Sequence, residues 1–280
     1  MTQILDGKSL RNQRIQEMIG RVNQLSRPPH LVVLLTHPNH ASSIYVKHKQ
    51  QACQEAGITS TLIEKPCRST EEVCELIHTW NKDTVDGILL QLPLHPNIDQ
   101  QKAINSIPPH KDVDGLHPEN LGKLVSEDPS GFIPCTALGI QQLLIHYQIP
   151  LQGRHVLIVG RSIIVGKPLA LLLSQRNTQA NATVTIAHSR TTNLSSLCRS
   201  AHIIIAATGS PHLITKDMIT SGSVIVDVGI SRTKNNKLCG DVDFENIAPL
   251  AAAISPVPGG VGPMTIASLL FNTLKSAEQR

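Results

Sequence analysis

Tyr45 and Lys49 are four residues apart in the segment YVKHK, so their side chains share one face if this segment is helical. Such a pair can be catalytic. It can equally be an aromatic ring lying along a lysine stem on an ordinary surface helix. The pair alone leaves both interpretations open, and its meaning depends on the elements that position it.

The first half of the chain alternates between short apolar runs and amphipathic segments. The apolar runs predict buried parallel strands, and the segments between them predict helices. The predicted strands are 30–35, 59–63 and 87–92, and the predicted helices are 42–56, ending at Gly57, and 69–81, with Ser69 as N-cap and Glu72 in a capping box. This order predicts a parallel sheet covered by helices, which is an α/β fold.

The pattern breaks between residues 93 and 134, where prolines, glycines and histidines predict loops with one short helix. A second α/β region follows, so we place the division between two domains near residue 120. Its predicted strands are 154–159, 183–187, 202–206, 223–228 and 251–255, and its main predicted helices are 166–176 and 265–277.

Composition excludes several classes of protein. The 280 residues are 40% apolar and 16% charged, which is ordinary for a globular protein. The net charge of +4 is spread along the chain, so we expect no nucleic-acid partner. No apolar run reaches the roughly 18 residues of a membrane helix, and six cysteines without a CxxC pair indicate free thiols in a cytoplasmic protein. Thirteen histidines show no ligand spacing, so we expect no metal.

A candidate dinucleotide site begins at the predicted strand 154–159. The strand runs into a turn spelled G-x-S-x-x-x-G, from Gly160 to Gly166, and then into a helix. This geometry presents backbone N–H groups and a helix N-terminus to phosphates. A tight strand-to-helix turn without a ligand is the alternative.

The end of the next predicted strand indicates which dinucleotide is bound. NAD-selective sites place a carboxylate there, but this strand ends in His188, Ser189, Arg190 and Thr191. Arg161 adds a second cation in the preceding turn. A 2′-phosphate would be stabilised by such groups, so NADP is favoured over NAD, with a solvated arginine as the alternative.

Three further loops are unusual in their backbone. Residues 207–211 and 227–230 follow predicted strands and are small enough for a flat ring to approach the backbone. Residues 255–265 contain three glycines and three prolines, which predicts a stiff loop with exposed backbone donors.

Five motifs, in order along nearly the whole chain, resemble the bifunctional methylenetetrahydrofolate dehydrogenase/methenyltetrahydrofolate cyclohydrolase (FolD) family. They are ASSIYVKHK at 41–49, DGILLQLPL at 86–94, KDVDG at 111–115, GRSxxVGxP at 160–168 and PVPGGVGPMT at 256–265. Together they are highly specific, although none would suffice alone.

The resemblance implies two domains around a cleft and a homodimer formed through the nucleotide domains. Residues 1–120 and 266–280 would form the folate-binding catalytic domain, and residues 121–265 a Rossmann-like NADP-binding domain. The implied reactions are oxidation of 5,10-methylenetetrahydrofolate by NADP⁺ and hydrolysis of the methenyl product to 10-formyltetrahydrofolate. These reactions belong to one-carbon metabolism and purine biosynthesis.

The resemblance also implies residue roles. Lys49 is the essential lysine at the one-carbon unit, Tyr45 stacks on the folate, Gln91 hydrogen-bonds Lys49 and Asp114 binds the pterin edge. Further folate-binding residues are Ser42, Leu92, Pro93, Pro258, Gly259 and Gly260. The NADP-binding residues are Gly160, Arg161, Ser162, Val165, Gly166, His188, Ser189, Arg190, Thr208, Gly209, Gly229, Ile230 and Thr265.

Elementary chemistry supports the first four roles. A desolvated lysine can be neutral and accept a proton from attacking water, and Gln91 can orient it without holding it as an ammonium ion. A carboxylate can accept two N–H bonds from a pterin edge. For Asp112 and Asp114, simple turn chemistry in the DVDG segment is the alternative.

The chain departs from the family pattern at three places. Residues 36–40 lack the usual glycine–acid pair, Ala137 replaces a proline in what we expect to be a hinge-like turn, and Ser255 replaces a threonine. Two other functions stay open. One is a dehydrogenase without hydrolase activity, and the other is a non-catalytic NADP-binding module of the same fold.

Overall fold

The computed structural model describes residues 2–38, 40–232 and 237–280, and for His40 and Ala41 it describes the backbone only. The chain forms two compact units. The three-strand unit comprises Asn12–Cys135 and Ile266–Arg280, and the six-strand unit comprises Met1–Arg11 and Thr136–Thr265. The division in the middle of the chain thus lies later than residue 120, and residues 1–11 belong with the second half.

Helices and strands are named in chain order. The helices are α1 (Gly7–Val22), α2 (His40–Ala56), α3 (Thr70–Trp80), α4 (Gln100–Asn105), α5 (Pro118–Val125), α6 (Cys135–His146), α7 (Gly166–Ser174), α8 (Leu194–Ser200), α9 (Phe244–Ile247) and α10 (Val261–Glu278). The strands are β1 (Gln3–Ile4), β2 (His30–Leu35), β3 (Thr59–Glu64), β4 (Gly87–Leu90), β5 (His155–Val159), β6 (Thr183–Ala187), β7 (Ile203–Ala206), β8 (Val224–Asp227), β9 (Ser231–Arg232), β10 (Leu238–Cys239) and β11 (Ala253–Ile254).

The three-strand unit is built on a parallel sheet with the order β3-β2-β4. Side chains alternate across β2, so Leu31 and Val33 join one apolar core while Val32 and Leu34 join another. The first core is completed by α1, α2 and α10, and the second by α3 and α4. Helices cover both faces of this sheet, which confirms the predicted α/β fold, and the central strand β2 is accordingly apolar from Leu31 to Leu35.

Two predicted helix ends are confirmed in this unit. The Ser69 Oγ accepts a 3.2 Å hydrogen bond from the Glu72 N–H, while the Glu72 carboxylate accepts one of 3.3 Å from the Ser69 N–H, so the capping box at α3 is complete. Gly57 follows α2 with a φ of 74°, which is the left-handed conformation that ends many helices.

The six-strand unit has a parallel sheet with the order β1-β11-β8-β7-β5-β6. From β5 the chain moves outward to β6 and then returns to the other side of β5 as β7. The order reverses there, and ligands of open α/β sheets bind at the carboxyl ends of the strands beside such a reversal. β1 was not predicted, because two residues are too few to show a period.

The prediction of loops with one short helix between residues 93 and 134 was wrong. This segment contains α4, a 3-10 turn at Pro109–Lys111 and α5. These elements have eight residues or fewer, so their apolar periodicity is difficult to recognise. Helices α1 and α6 were not predicted from the sequence either.

The expected hinge-like turn at Ala137 is instead the first turn of α6, where Ala137 is fully buried. Pro134 directly precedes this helix, and a proline commonly marks a helix start. The last helix begins at Val261 rather than residue 265, since Pro263 is tolerated in a first helical turn. The altered loop at residues 36–40 includes Asn39, which lies outside the described residues.

Candidate active site

Lys49 is a buried residue of α2, and its amine contacts two of its predicted partners. The residue is only 5% exposed. Its Nζ donates a 2.8 Å hydrogen bond to the Gln91 Oε1 and lies 4.7 Å from the centre of the Tyr45 ring. The structure thus brings Tyr45, Lys49 and Gln91 together. An ordinary surface pair would leave the amine in water.

Gln91 is held at the end of β4 by its own backbone and side chain. Its N–H donates to the Leu34 carbonyl at 2.9 Å, and its Nε2 donates to the Leu92 carbonyl at 2.7 Å. Because the amide nitrogen is engaged in this bond, the amide oxygen faces Lys49. The next peptide bond, between Leu92 and Pro93, is cis.

The charge state of Lys49 follows from its surroundings. Burial lowers the pKa of the Lys49 amine, while the negative charge of Asp114 opposes this shift, and the thiols of Cys135 and Cys53 oppose it further. The net direction is downward. A lysine with a lowered pKa is more often neutral, and a neutral amine can accept a proton.

Asp112 and Asp114 have different roles although they are neighbours in sequence. Asp112 is buried, and its Oδ2 accepts bonds from the His117 N–H at 2.7 Å and the Asn120 Nδ2 at 2.9 Å. Burial raises the pKa of Asp112 to about 7, although these two bonds oppose the shift. The Asp112 carboxylate therefore stabilises the local turn, which is the alternative given for it in the sequence analysis.

Asp114 is half-buried and lies close enough to Lys49 for the two charges to interact. Burial raises the pKa of Asp114, while the Lys49 amine and a hydrogen bond with the Cys135 thiol oppose the shift. Asp114 is thus the carboxylate of the KDVDG segment that joins the Lys49 cluster.

Two residues that support Asp114 were missed by the sequence analysis. The Cys135 thiol donates to the Val113 carbonyl at 3.2 Å, and the Asn272 Nδ2 donates to the Val113 and Ile133 carbonyls at 2.9 and 3.0 Å. Asn272 is 2% exposed within the apolar helix α10. A polar residue on an apolar face was the available signal, since buried polar groups need partners.

The remaining predicted folate residues of this unit lie near the cluster in sequence. Ser42 is buried near the start of α2, two helical turns before Lys49 and so on the same side of the helix. Leu92 is half-buried and Pro93 is exposed, directly after Gln91.

In the six-strand unit, the turn from Gly160 to Gly166 joins β5 to α7 and leaves no space for a side chain at either glycine. A Cβ on Gly160 would lie 2.2 Å from the Ala207 oxygen, and one on Gly166 would lie 2.1 Å from the Gly160 oxygen. The Ser162 Oγ accepts a 3.1 Å bond from the Val165 N–H, which leaves its own proton for a ligand. Exposed Arg161 and Ser162 precede the N-terminus of the nine-residue α7. This turn fits phosphate groups.

The segment after β6 carries no carboxylate from His188 to Thr191. The His188 Nδ1 accepts a 3.1 Å bond from the Arg190 N–H, so the proton of a neutral ring is on Nε2, where it can be donated. Ser189 and Arg190 are exposed. These groups fit a 2′-phosphate better than a bare 2′-hydroxyl.

The loops at Thr208–Gly209 and Gly229–Ile230 follow β7 and β8, which are adjacent strands. Thr208, Gly209 and Ile230 are exposed. Both loops contact Asp241, a residue that the sequence analysis missed because its loop is far away in sequence.

The glycine- and proline-rich segment also lies in this unit, and part of it is helical. Pro258 follows a cis peptide bond, Gly259 has a φ of 116°, and the Gly260 N–H donates to the Pro256 carbonyl at 2.9 Å. Thr265 lies inside α10, and its hydroxyl donates to the Thr136 Oγ1 at 3.3 Å. The buried Ser255 Oγ accepts a 2.8 Å bond from the Asp227 N–H. This bond needs only a hydroxyl, so serine can make it in place of the threonine that is usual in the family.

Among the described residues, no group of three or more histidine, cysteine, aspartate or glutamate side chains is arranged to hold a metal ion. Within the same residues, no helix has the length and apolar character needed to cross a membrane. All six cysteines are free thiols.

Comparison with protein families gives two matches that together cover most of the chain. Residues 5–114 match the catalytic domain of tetrahydrofolate dehydrogenase/cyclohydrolase, and residues 134–280 match the NAD(P)-binding domain of the same enzyme.

Individual relatives agree with these matches. The chain is 51% identical to the bifunctional protein FolD of Aquifex aeolicus, over all of this chain and 97% of that protein. It superposes with a TM-score of 0.96 on the crystal structure of the bifunctional enzyme FolD from Campylobacter jejuni, at 44% identity and with 100% of both chains covered. The Trypanosoma brucei dehydrogenase-cyclohydrolase, solved with NADP cofactor and an inhibitor, has a TM-score of 0.92 at 31% identity, covering 99% of this chain and 98% of that one.

Proposed function

The chain belongs to the tetrahydrofolate dehydrogenase/cyclohydrolase family, and we infer that it catalyses two consecutive reactions on one folate. It oxidises 5,10-methylenetetrahydrofolate to 5,10-methenyltetrahydrofolate with NADP⁺, and it hydrolyses that product to 10-formyltetrahydrofolate. The structural observation that carries this function is the buried Lys49 amine, bonded to a neutral amide and lowered in pKa.

Lys49 is the proposed base of the hydrolysis. Water attacks the methenyl carbon, a C–O bond forms, and the neutral Lys49 amine accepts the proton that the water loses. The hydroxyl then loses its proton to become the formyl carbonyl, and the departing nitrogen takes up a proton as its C–N bond breaks. The formyl group stays on the other nitrogen. A positioned base of this kind typically contributes about 10²–10⁴-fold to a rate.

The same neutral amine suits the oxidation. Loss of a hydride leaves positive charge on the one-carbon unit, so a fixed ammonium nearby would raise the energy of the transition state. NADP⁺ supplies the hydride acceptor for this step when it is bound. Lys49 and Gln91 contribute an oriented polar contact without a formal charge.

Asp114 and Tyr45 are the proposed folate contacts. A carboxylate accepts two parallel N–H bonds from the amino-pyrimidinone edge of a pterin, as it does from a guanidinium group. The position of Asp114 beside the Lys49 cluster supports this role. The Tyr45 ring, adjacent to the amine, can stack on the flat ring system. Ser42, Leu92 and Pro93, with Pro258, Gly259 and Gly260, are the remaining proposed folate residues.

The proposed NADP site lies on the six-strand unit. Gly160, Arg161, Ser162, Val165 and Gly166 would hold phosphates at the turn after β5. His188, Ser189 and Arg190 would bind the 2′-phosphate through charge-assisted bonds. Thr208, Gly209, Gly229, Ile230 and Thr265 complete the proposed set.

A homodimer is a further part of the proposal. β6 lies at one edge of the six-stranded sheet of the described residues, and Ile186 on this strand is 38% exposed. An exposed strand edge can pair with a second copy of the chain. We also propose the cytoplasm as the site of action, because six free thiols suit a reducing compartment.

A spectrophotometric assay with methylenetetrahydrofolate tests the function. It follows NADPH and the methenyl intermediate together, with NADP⁺ and with NAD⁺. We expect NADPH to form while the intermediate fails to accumulate. Accumulation of the intermediate would leave a dehydrogenase alone, and absence of turnover by folded protein that binds NADP⁺ would leave a nucleotide-binding module.

A further inference from the structure

Two buried carboxylates link the loops after β7 and β8. Asp227 is the last residue of β8, and Asp241 lies between β10 and α9. They are 3% and 0% exposed. No role in the two reactions has been given to either residue above.

Asp241 binds the loop after β7 through one oxygen. Its Oδ2 accepts bonds from the Thr208 N–H, from the Thr208 hydroxyl at 2.9 Å and from the Gly209 N–H at 3.0 Å. Hydrogen bonds to an ionised acceptor are roughly twice as strong as neutral ones. Three such bonds therefore define the conformation of two residues that are themselves exposed.

The other oxygen of Asp241 faces the loop after β8. A Cβ on Gly229 would lie 2.2 Å from the Oδ1, so only glycine allows this approach. Oδ1 is buried and has no hydrogen-bond donor among the residues that the structure describes. The Asp241 carboxylate thus packs between the two loops and is hydrogen-bonded to the loop after β7.

Asp227 in turn fixes the backbone of Asp241. The Asp227 Oδ1 accepts bonds from the Asp241 N–H at 2.9 Å and the Gly229 N–H at 3.0 Å, and its Oδ2 accepts one from the Val242 N–H at 3.0 Å. The two carboxylates form one network that spans both loops.

This arrangement does not maximise stability. A buried carboxylate oxygen without a donor destabilises the folded state, and natural proteins keep such groups chiefly at functional sites. The loops that Asp241 joins are the ones proposed above to bind the dinucleotide.

We propose that Asp241 is a positioning residue for the dinucleotide, which acts by holding Thr208 and Gly209 in the conformation that binds NADP. This inference rests on the proposed NADP site. Asp241 itself is buried and acts through the loop.

Asp241→Asn tests the inference, because asparagine keeps the shape and removes the charge. NADP⁺ affinity is measured by calorimetry, and kcat and KM by NADPH formation. Hydrolysis of methenyltetrahydrofolate, a reaction that consumes no nucleotide, reports on the rest of the molecule. We expect Kd and KM for NADP⁺ to rise about tenfold. kcat at saturating NADP⁺ and the hydrolysis rate should change by less than about twofold, and Tm should not fall.

Asp243→Asn is the matched control. It removes the same charge two residues away, where the Asp243 carboxylate contacts the Asn246 Nδ2 at 2.8 Å. NADP⁺ affinity should be unchanged in this variant. Thr208→Val is made in the wild type and in Asp241→Asn. It removes the hydroxyl bond to Asp241 and the 3.1 Å bond that the Thr208 Oγ1 accepts from the Ser210 N–H. The part of its effect that passes through Asp241 is lost when Asp241 is already asparagine, so Thr208→Val should weaken NADP⁺ binding less in that variant than in the wild type.

Wild-type affinity for NADP⁺ in Asp241→Asn would overturn the inference, and so would a parallel loss of Tm and hydrolysis, which indicates a purely structural role. If Asp241→Asn does not fold, Thr208→Val decides, and unchanged NADP⁺ affinity in that variant would overturn the inference. A wild-type protein that binds no NADP⁺ would instead refute the proposed nucleotide site, and this inference with it.

Discussion

The Lys49 Nζ donates a 2.8 Å hydrogen bond to the Gln91 Oε1, and this contact joins a helix to the end of a strand 42 residues away in sequence. The acceptor is a neutral amide, so it orients the amine without fixing a positive charge. Burial can then lower the pKa of Lys49 even though Asp114 opposes it. The contact therefore allows Lys49 to act as a base.

Lys49→Met should abolish most of the hydrolysis. Methionine fills a similar volume but cannot accept a proton, so the hydrolysis rate should fall by about 10²–10⁴-fold. Oxidation depends mainly on positioning and should change by less than about tenfold. Decay of methenyltetrahydrofolate and formation of NADPH measure the two rates. Lys47→Met, at an exposed position of the same helix, is the control. Hydrolysis at the wild-type rate in the Lys49 variant would exclude the proposed base.

Gln91→Glu should shift the pH dependence of hydrolysis to higher pH. A carboxylate in contact with the amine favours the ammonium form and raises the pKa of Lys49, so a higher pH is needed to obtain the neutral base. We expect the rate at pH 7 to fall by at least about tenfold. The measurement is the pH profile of kcat, corrected for uncatalysed hydrolysis. Gln54→Glu, on the exposed side of α2, should leave the profile unchanged. An unshifted profile in Gln91→Glu would contradict the role assigned to the amide.

Asp114→Asn should weaken folate binding and shift the same profile in the opposite direction. The negative charge of Asp114 raises the pKa of Lys49, so its removal lets that pKa fall further. Loss of the bidentate acceptor should raise KM for the folate by about 10- to 100-fold. Steady-state kinetics across pH measure both effects. Unchanged KM would remove Asp114 from the folate site.

Arg190→Ala should weaken NADP⁺ much more than NAD⁺. Loss of a charge-assisted bond to the 2′-phosphate should raise KM for NADP⁺ by about 10- to 100-fold, whereas NAD⁺ lacks that phosphate. KM for both nucleotides is measured with saturating methylenetetrahydrofolate. Lys216→Ala removes an exposed positive charge elsewhere in the six-strand unit and serves as the control. Equal losses for both nucleotides would refute the assignment of the segment after β6.

Asp112→Asn should become more stabilising as the pH rises. The folded pKa of Asp112, about 7, lies above its ordinary value, so the folded state holds this proton more tightly than the unfolded state does. The wild type therefore loses stability as pH rises from about 4 to about 7, and asparagine avoids that loss. The urea midpoint of the variant relative to wild type should increase between pH 5 and pH 8.

Asp128→Asn provides the control of opposite sign. Bonds from Ser130 lower the pKa of this exposed carboxylate, so its contribution to stability is present at neutral pH and is lost as the pH falls. The relative midpoint of Asp128→Asn should therefore be lower at pH 8 than at acidic pH. If both variants showed the same pH trend, burial of Asp112 could not be the cause.

Periodicity predicted β2, β5 and α3, but it missed α1 and α6, which have 16 and 12 residues. The apolar runs at β2 and β5 were recognised because strands covered on both faces are apolar throughout, and the cap at Ser69 was recognised because its partner is three residues away. Only one short helix was predicted where α4 and α5 lie, since helices of six and eight residues are too short to show a clear period.

The sequence by itself determined the motifs, the parallel sheets and the residue types of both proposed sites. Only the tertiary structure decided which of these groups touch. It separated Asp112, held in a turn, from Asp114, beside Lys49, and it brought Asn272 to Val113 and Asp241 to Thr208. Contacts between residues that are close in sequence can be predicted from their spacing along the chain. Burial, pKa and the partners of a buried polar group arise from segments far apart in the chain, and their positions exist only once the chain has folded.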